Sequence, residues 1–254
     1  MAIFVNRPLV VFVVTFFLLW FAAWIGGQFG LRRSDFSEDM RSDFGVIQSA
    51  TLTLLGLIIG FSFSMAIGRY DLRKSYEEAE ANAIGTEYVR ADLLPPEEAS
   101  VVRGLLREYT GLRVRFYNTR DLEELNQINQ QTTEVQSRLW VAASRTATAQ
   151  PTPVRALAVA GMNDVLNSQG YTQAAWWNRI TVGAWLLMFG IAVLANFLVG
   201  FGARKVRPKL LMMLPLAVAI SFFLIADIDS PRRGVIRVHP QNMESLQVGF
   251  SAVE

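Results

Sequence analysis

The 254-residue sequence contains no cysteine and a single histidine. Without thiols there are no disulfides, no thiolate zinc sites and no cysteine nucleophile. His239 stands in the C-terminal tail before Pro240, where a lone imidazole reads as a surface group. Charge is scarce too: Asp, Glu, Lys and Arg make up 18% of the chain, against roughly 25% in soluble domains. A net charge of +2 gives no strong pull on nucleic acid. Walker, G-x-S-x-G, H-E-x-x-H and dinucleotide-binding motifs are all missing, so an enzyme reading has no catalytic constellation, cofactor site or metal site to stand on. What the chain has in excess is apolar surface. Hydrophobic residues reach 52%, with 17 Phe and 6 Trp, and the mean hydropathy is +0.27. That content excludes disorder as the dominant state.

The charges are segregated along the chain. Pro8 to Leu31, Phe44 to Gly68 and Ile180 to Ala203 carry none, about 24 residues each, and Leu210 to Ala226 is a shorter run of 17. About 20 apolar residues cross the hydrocarbon core of a bilayer. Four transmembrane helices are therefore expected, near 8–27, 45–68, 180–201 and 209–227. A cleaved signal peptide fits the first run poorly, since the run is long and no small-x-small site precedes Arg32. A buried core helix is the alternative for the fourth, but the basic flank Arg204, Lys205, Arg207 and Lys209 favours a span, with Lys209 able to snorkel. Trp20, Trp24, Trp176 and Trp177 stand near span ends, where amphipathic rings prefer to sit.

Residues 69–179 differ in character, with 13 basic and 14 acidic side chains. The second span continues as a helix to Leu94, where Pro95-Pro96 stops it. Val101, Val102, Leu105, Leu106, Tyr109, Leu112 and Phe116 recur at helical spacing. Leu122, Leu125, Ile128, Val135, Leu139 and Ala142 form a narrow stripe suited to helix pairing or coiled-coil-like packing. Gln150-Pro151-Thr152-Pro153 is a break, and a short helix over 154–167 follows. The expected fold class is all-α, with a transmembrane hairpin at 1–68, a helical extramembrane domain at 69–179, a second hairpin at 180–229 and a tail at 230–254. Four spans put both termini and the helical domain on one side. That side holds 17 Lys or Arg against 7 on the other, which favours the cytoplasm. The charges nearest the membrane, which weigh most, divide almost evenly.

Candidate functional residues follow from this layout. Ser49, Thr53, Gly56, Gly60 and Ser64 are spaced by four and three, so they share one narrow helix face. Gly56 and Gly60 form a GxxxG pair, which packs helices in lipid; the same face could instead line a polar pore. Ile59 and Phe63 could constrict such a pore, or pack in a core or against lipid. Asn196, inside the third span, needs a partner in hydrocarbon, and an interhelical hydrogen bond is the expected one. Asp227, Asp229, Arg232 and Arg233 crowd the end of the fourth span: a solvated, mutually paired charge cluster, a latch tying the tail to the helical domain, or, together with Glu80, Glu87 and Arg90, a charged vestibule. Calcium binding there has only two acids to rest on. Glu80 and Glu87 share a helix face, and Glu87 can pair with Arg90 three residues on. No base or metal stands by to make the two carboxylates catalytic.

The stretch Gly56-Leu-Ile-Ile-Gly-Phe-Ser-Phe-Ser-Met-Ala66, with Arg69-Tyr-Asp-Leu-Arg-Lys74, Glu80-Ala-Asn-Ala-Ile-Gly-Thr86 and Leu93-Leu-Pro95, resembles the bestrophin-like membrane protein family. Asp227-Ile-Asp-Ser-Pro-Arg-Arg-Gly234 and the following Val-Ile-Arg-Val resemble its second signature. The resemblance runs from about Phe44 to Gln247. It implies a homo-oligomeric ion channel of the cell inner membrane, pentameric as bestrophins are. The second span would line the pore and the helical domain would lie in the cytoplasm. Small monovalent ions would pass, anions such as chloride ahead of cations. The acidic calcium clasp of animal bestrophins has no counterpart here beyond Asp227 and Asp229. A non-conducting scaffold that recruits a partner through the 122–142 stripe is the alternative. In either case the partners are the lipid bilayer and further copies of the chain, not nucleic acid.

Overall fold

The computed structural model of the protein describes residues 7–31, 38–203 and 208–251. Arg32, Arg33, Arg204, Lys205 and Arg207, used above for span flanks and sidedness, lie outside the described residues. Among the described residues the regular structure is all helical. The α-helices are α1 (Pro8–Leu31), α2 (Glu38–Arg90), α3 (Pro96–Asn118), α4 (Leu122–Ala149), α5 (Pro153–Trp177), α6 (Val182–Gly202), α7 (Pro208–Leu211), α8 (Met213–Asp229) and α9 (Gln241–Ser251), with a 3₁₀ turn at Ala91–Leu93. The chain divides into two compact units, Met1–Tyr70 with Arg179–Arg237, and Asp71–Asn178 with Val238–Glu254.

The first unit holds the apolar helices. Backbone groups in a bilayer must be satisfied within the segment, which imposes helix on each charge-free run. In α1, Val11, Thr15, Leu19 and Ala23 recur at four-residue spacing and are buried, while Leu9, Val13, Phe17, Phe21 and Trp24 are exposed. The buried face packs along α6 and α8, where Trp185, Phe189 and Phe222 meet edge to face or tilted at 5.1–6.1 Å. Glycine sets the closest approach. A Cβ on Gly26 would stand 2.1 Å from the Phe197 carbonyl oxygen, one on Gly30 2.2 Å from that of Phe201, and one on Gly200 1.9 Å from that of Ala23. Within one copy the close-packed glycine pair among the described residues is thus Gly26 and Gly30.

The second unit is a bundle around Ile84, Leu106, Tyr109, Leu139 and Met162, all fully buried. Pro96 opens α3 at its first turn, and Thr152 caps α5, its hydroxyl accepting from Arg155 N at 3.3 Å with Pro153 following. Proline suits a helix start because the amide it lacks would have no partner there. The short helix expected over 154–167 continues to Trp177, because Thr172, Ala175 and Trp176 are buried on the same element. The tail yields a further helix, α9, with Met243 and Phe250 in the core and the Phe250 ring stacked on Tyr88 at 4.0 Å.

Candidate functional site

The α2 face carrying Ser49, Thr53, Gly56, Gly60 and Ser64 is exposed along its length. Among the described residues, a Cβ at Gly56 or Gly60 would meet nothing within 4 Å. Thr53 turns its hydroxyl back onto the Ser49 carbonyl at 2.9 Å, as a helical threonine does when no neighbour competes. The opposite side, through Leu55, Ser62 and Ala66, is buried. Ile59 and Phe63 part company: Ile59 leans half-buried on the unit's core, whereas Phe63 is exposed. Only 17% of the apolar stretch of α2 is buried, against 33% for α1 and 50% for α8. Packing among the described residues of one copy therefore accounts for Gly26, Gly30 and Gly200, but not for Gly56 and Gly60 of α2 or Gly183 and Gly190 of α6.

Asn196 is buried, but its amide donates to the Ala192 carbonyl of its own helix at 2.8 Å. The interhelical bond expected from its burial is not the one made. An i−4 acceptor lies within reach of the side chain without any help from a neighbouring helix.

The acids after α8 organise backbone. Asp227 is 2% exposed and accepts from Val235 N at 2.8 and 3.0 Å and from Ile236 N at 2.8 Å. Asp229 accepts from Ile180 N at 3.2 Å and faces Arg179 Nε at 3.6 Å. These contacts lie within the first unit and make a turn anchored on carboxylates. Gly234 is required in that turn, since a Cβ there would stand 2.3 Å from the Asp227 carbonyl oxygen. Arg233 is exposed, and Arg232 is half-buried. No third acid or histidine joins Asp227 and Asp229 among the described residues in a group able to hold a metal ion.

In the second unit Glu80 is the hub of a buried polar cluster. Arg113 donates to it through Nε at 2.5 Å and Nη2 at 3.2 Å, Thr172 through its hydroxyl at 2.9 Å, and Tyr109 and Tyr117 at 3.4 and 3.5 Å. The Glu80 and Arg113 side chains are both fully buried. The guanidinium also lies over the Phe116 ring at 4.2 Å. Burial, reinforced by the Glu80 carboxylate, pushes both tyrosine hydroxyls above their usual range. The Glu80 and Arg113 charges thus answer one another inside the bundle, within a ring of hydroxyl donors.

Glu77 and Glu87 flank that hub along α2. Glu77 accepts from Asn242 N at 3.1 Å, Met243 N at 3.0 Å and Asn242 Nδ2 at 2.7 Å, capping α9 from another helix. Glu87 is buried, yet neither oxygen accepts a hydrogen bond. It does not form the expected bond with Arg90, although Arg90 lies beside it. Gly161 of α5 makes the room: a Cβ there would stand 2.0 Å from Glu87 Oε2 and 2.5 Å from Arg90 Nη1. Burial lifts the Glu87 carboxyl to about 8, with Arg90 opposing the rise and Asp164 adding to it. Sequence spacing put Glu80 and Glu87 on one face but could not separate a five-donor carboxylate from an unbonded one. Glu77 and Arg113 escaped notice because their partners lie more than thirty residues away in the chain.

A family model described as a Bestrophin-like domain matches residues 15–243. Among solved structures, a bacterial bestrophin homologue from Klebsiella pneumoniae carrying a single substitution is similar with a TM-score of 0.67 at 12% identity, covering 95% of this chain and 98% of that one. A second structure of a bacterial bestrophin homologue from the same organism, phased on zinc, gives 0.67 and 12% over 97% and 98%. A structure described only as a membrane protein, with one substitution, gives 0.66 and 12% over 97% and 98%. At this identity the likeness speaks to fold. No curated protein matches the sequence.

Proposed function

The chain belongs to the bestrophin-like family, and from that premise we propose that it forms an oligomeric ion channel in which the exposed α2 face lines the axial path. The observation that carries the reading is the bare stripe of Ser49, Thr53, Gly56, Gly60 and Ser64 on the least-buried apolar helix measured against α1 and α8. Hydroxyls and exposed helix backbone suit a partly dehydrated ion better than they suit lipid tails. Phe63, beside the stripe, supplies an apolar ring once several copies surround the axis. The ring has five copies by analogy with bestrophins, in a cell inner membrane with the helical unit on the cytoplasmic side.

Selectivity follows from charge further along α2. The spacing of four and three residues continues from Ser64 through Gly68 to Asp71, Ser75 and Glu78, all exposed, with exposed Lys74 alongside. Each copy thus contributes a net charge of −1 from Asp71, Lys74 and Glu78. A ring of carboxylates biases a pore toward cations, against the anion preference suggested by the resemblance.

Purified protein in lipid vesicles tests both parts. The unmodified chain passes monovalent ions, and Gly60→Trp, which meets open space in a single copy, leaves the fold intact and stops the flux. In a salt gradient the reversal potential lies on the cation side and moves toward anions in Asp71→Asn/Glu78→Gln. Assembled protein that passes no ion overturns the channel reading. A monomer or dimer with no axial hole favours the scaffold instead.

A further inference from the structure

Where α1 begins and α8 ends, the first unit carries a groove of about 410 Å³. Pro8, Leu9, Val10, Phe223 and Val235 give it an apolar lining. These apolar side chains are far from hidden: Leu9 is 72% and Val235 81% exposed. Two guanidiniums, Arg7 and Arg233, line the same groove. Neither makes an ion pair with another described residue, and both are exposed. The single acid in the lining, Asp227, is committed to the Val235 and Ile236 amides. That commitment shapes the turn that holds Arg233 over the groove, with Gly234 allowing the close return of the chain. The lining therefore carries a net charge of +1 on an apolar floor, at the ends of two helices long and apolar enough to cross a membrane.

We propose that this groove binds the phosphate end of an anionic phospholipid, Arg7 and Arg233 holding the phosphate and Leu9, Val10, Phe223 and Val235 bedding the start of an acyl chain. Guanidinium is the side chain best matched to phosphate, since its planar fork presents paired donors. Basic pockets between spans recognise lipid headgroups by the same chemistry. An apolar floor distinguishes a lipid from a free anion, because a hydrated phosphate gains nothing from bare Leu9 and Val235. A headgroup that adds a cation beside its phosphate gains less from two arginines than one that is net negative. The site is independent of conduction, so its failure leaves the channel reading untouched.

The test uses the full chain in a neutral detergent, titrated with phosphatidylglycerol, phosphatidylcholine or inorganic phosphate. Retained lipid is counted by native mass spectrometry. Phosphatidylglycerol is retained in preference to phosphatidylcholine, and inorganic phosphate in excess does not displace it. At roughly 1 kcal/mol per basic side chain near a lipid surface, Arg7→Gln or Arg233→Gln weakens retention about fivefold and the pair about thirtyfold. Arg7→Lys/Arg233→Lys keeps part of it, and Arg120→Gln in the other unit changes nothing. Equal retention of the two lipids, displacement by inorganic phosphate, or unchanged binding in the double glutamine variant overturns the proposal. The contrast between lipids in the unmodified chain decides the matter even where the double variant does not fold.

Discussion

Glu87 is a carboxyl that the fold keeps from ionising, and stability must therefore depend on pH in a definite direction. Below about pH 4.5 the group is protonated whether the chain is folded or not. Between there and about 8 the unfolded chain releases the proton while the buried group, desolvated between α2 and α5, retains it. Every pH unit in that window then lowers stability by up to about 1.4 kcal/mol. The whole window would amount to on the order of 5 kcal/mol. Half-buried Arg90 and exposed Asp164 let water screen the site, which brings the expected loss to ~2–3 kcal/mol. Above about pH 8 both states are ionised and the loss is complete. Glu87→Gln keeps the shape and removes the titration. In detergent-purified protein, amide exchange along 153–177 accelerates from pH 5 to pH 8, after correction for intrinsic exchange, in the unmodified chain only. The variant is nearly as protected as the parent at pH 5 and better protected at pH 8. Parallel pH courses for the two proteins would refute the reasoning, since they would mean that Glu87 finds a partner or reaches water.

Three further outcomes follow from packing. Gly200→Ala places a methyl 1.9 Å from the Ala23 carbonyl oxygen and destabilises the purified protein by ~1–3 kcal/mol in thermal unfolding, whereas Gly56→Ala leaves the fold of each copy unchanged. Glu80→Gln strands the fully buried Arg113 guanidinium and costs about 3–5 kcal/mol; a thermal-melt double-mutant cycle with Arg113→Met reads the coupling. Glu77→Ala removes three hydrogen bonds to Asn242 and Met243, so amide exchange over 241–251 rises at least tenfold while exchange over 122–149 is unaltered.

Two GxxxG matches, at 26–30 and at 56–60, show how far the sequence can be read. Charge-free runs and proline breaks were enough for the all-helical class, because a bilayer leaves an apolar segment only one way to satisfy its backbone. Segment 154–167 ran longer than its pattern and the tail held an unforeseen helix, since both depend on contacts made by distant residues: Trp176 in one case, Glu77 and Tyr88 in the other. The glycine pairs pose a sharper problem. Both have the spacing that lets helix backbones meet, and spacing cannot say which has a partner. Gly200 opposite Ala23 brings α6 onto the first pair, and no helix among the described residues comes within 4 Å of a Cβ on the second. A smooth helix face already in use reports on the fold of one copy. A smooth face left bare on a membrane helix is free to meet something outside that copy, and if α2 lines the proposed path, Gly60→Trp and Gly200→Ala differ there: the first spares the fold and stops ion flux, the second weakens the fold itself.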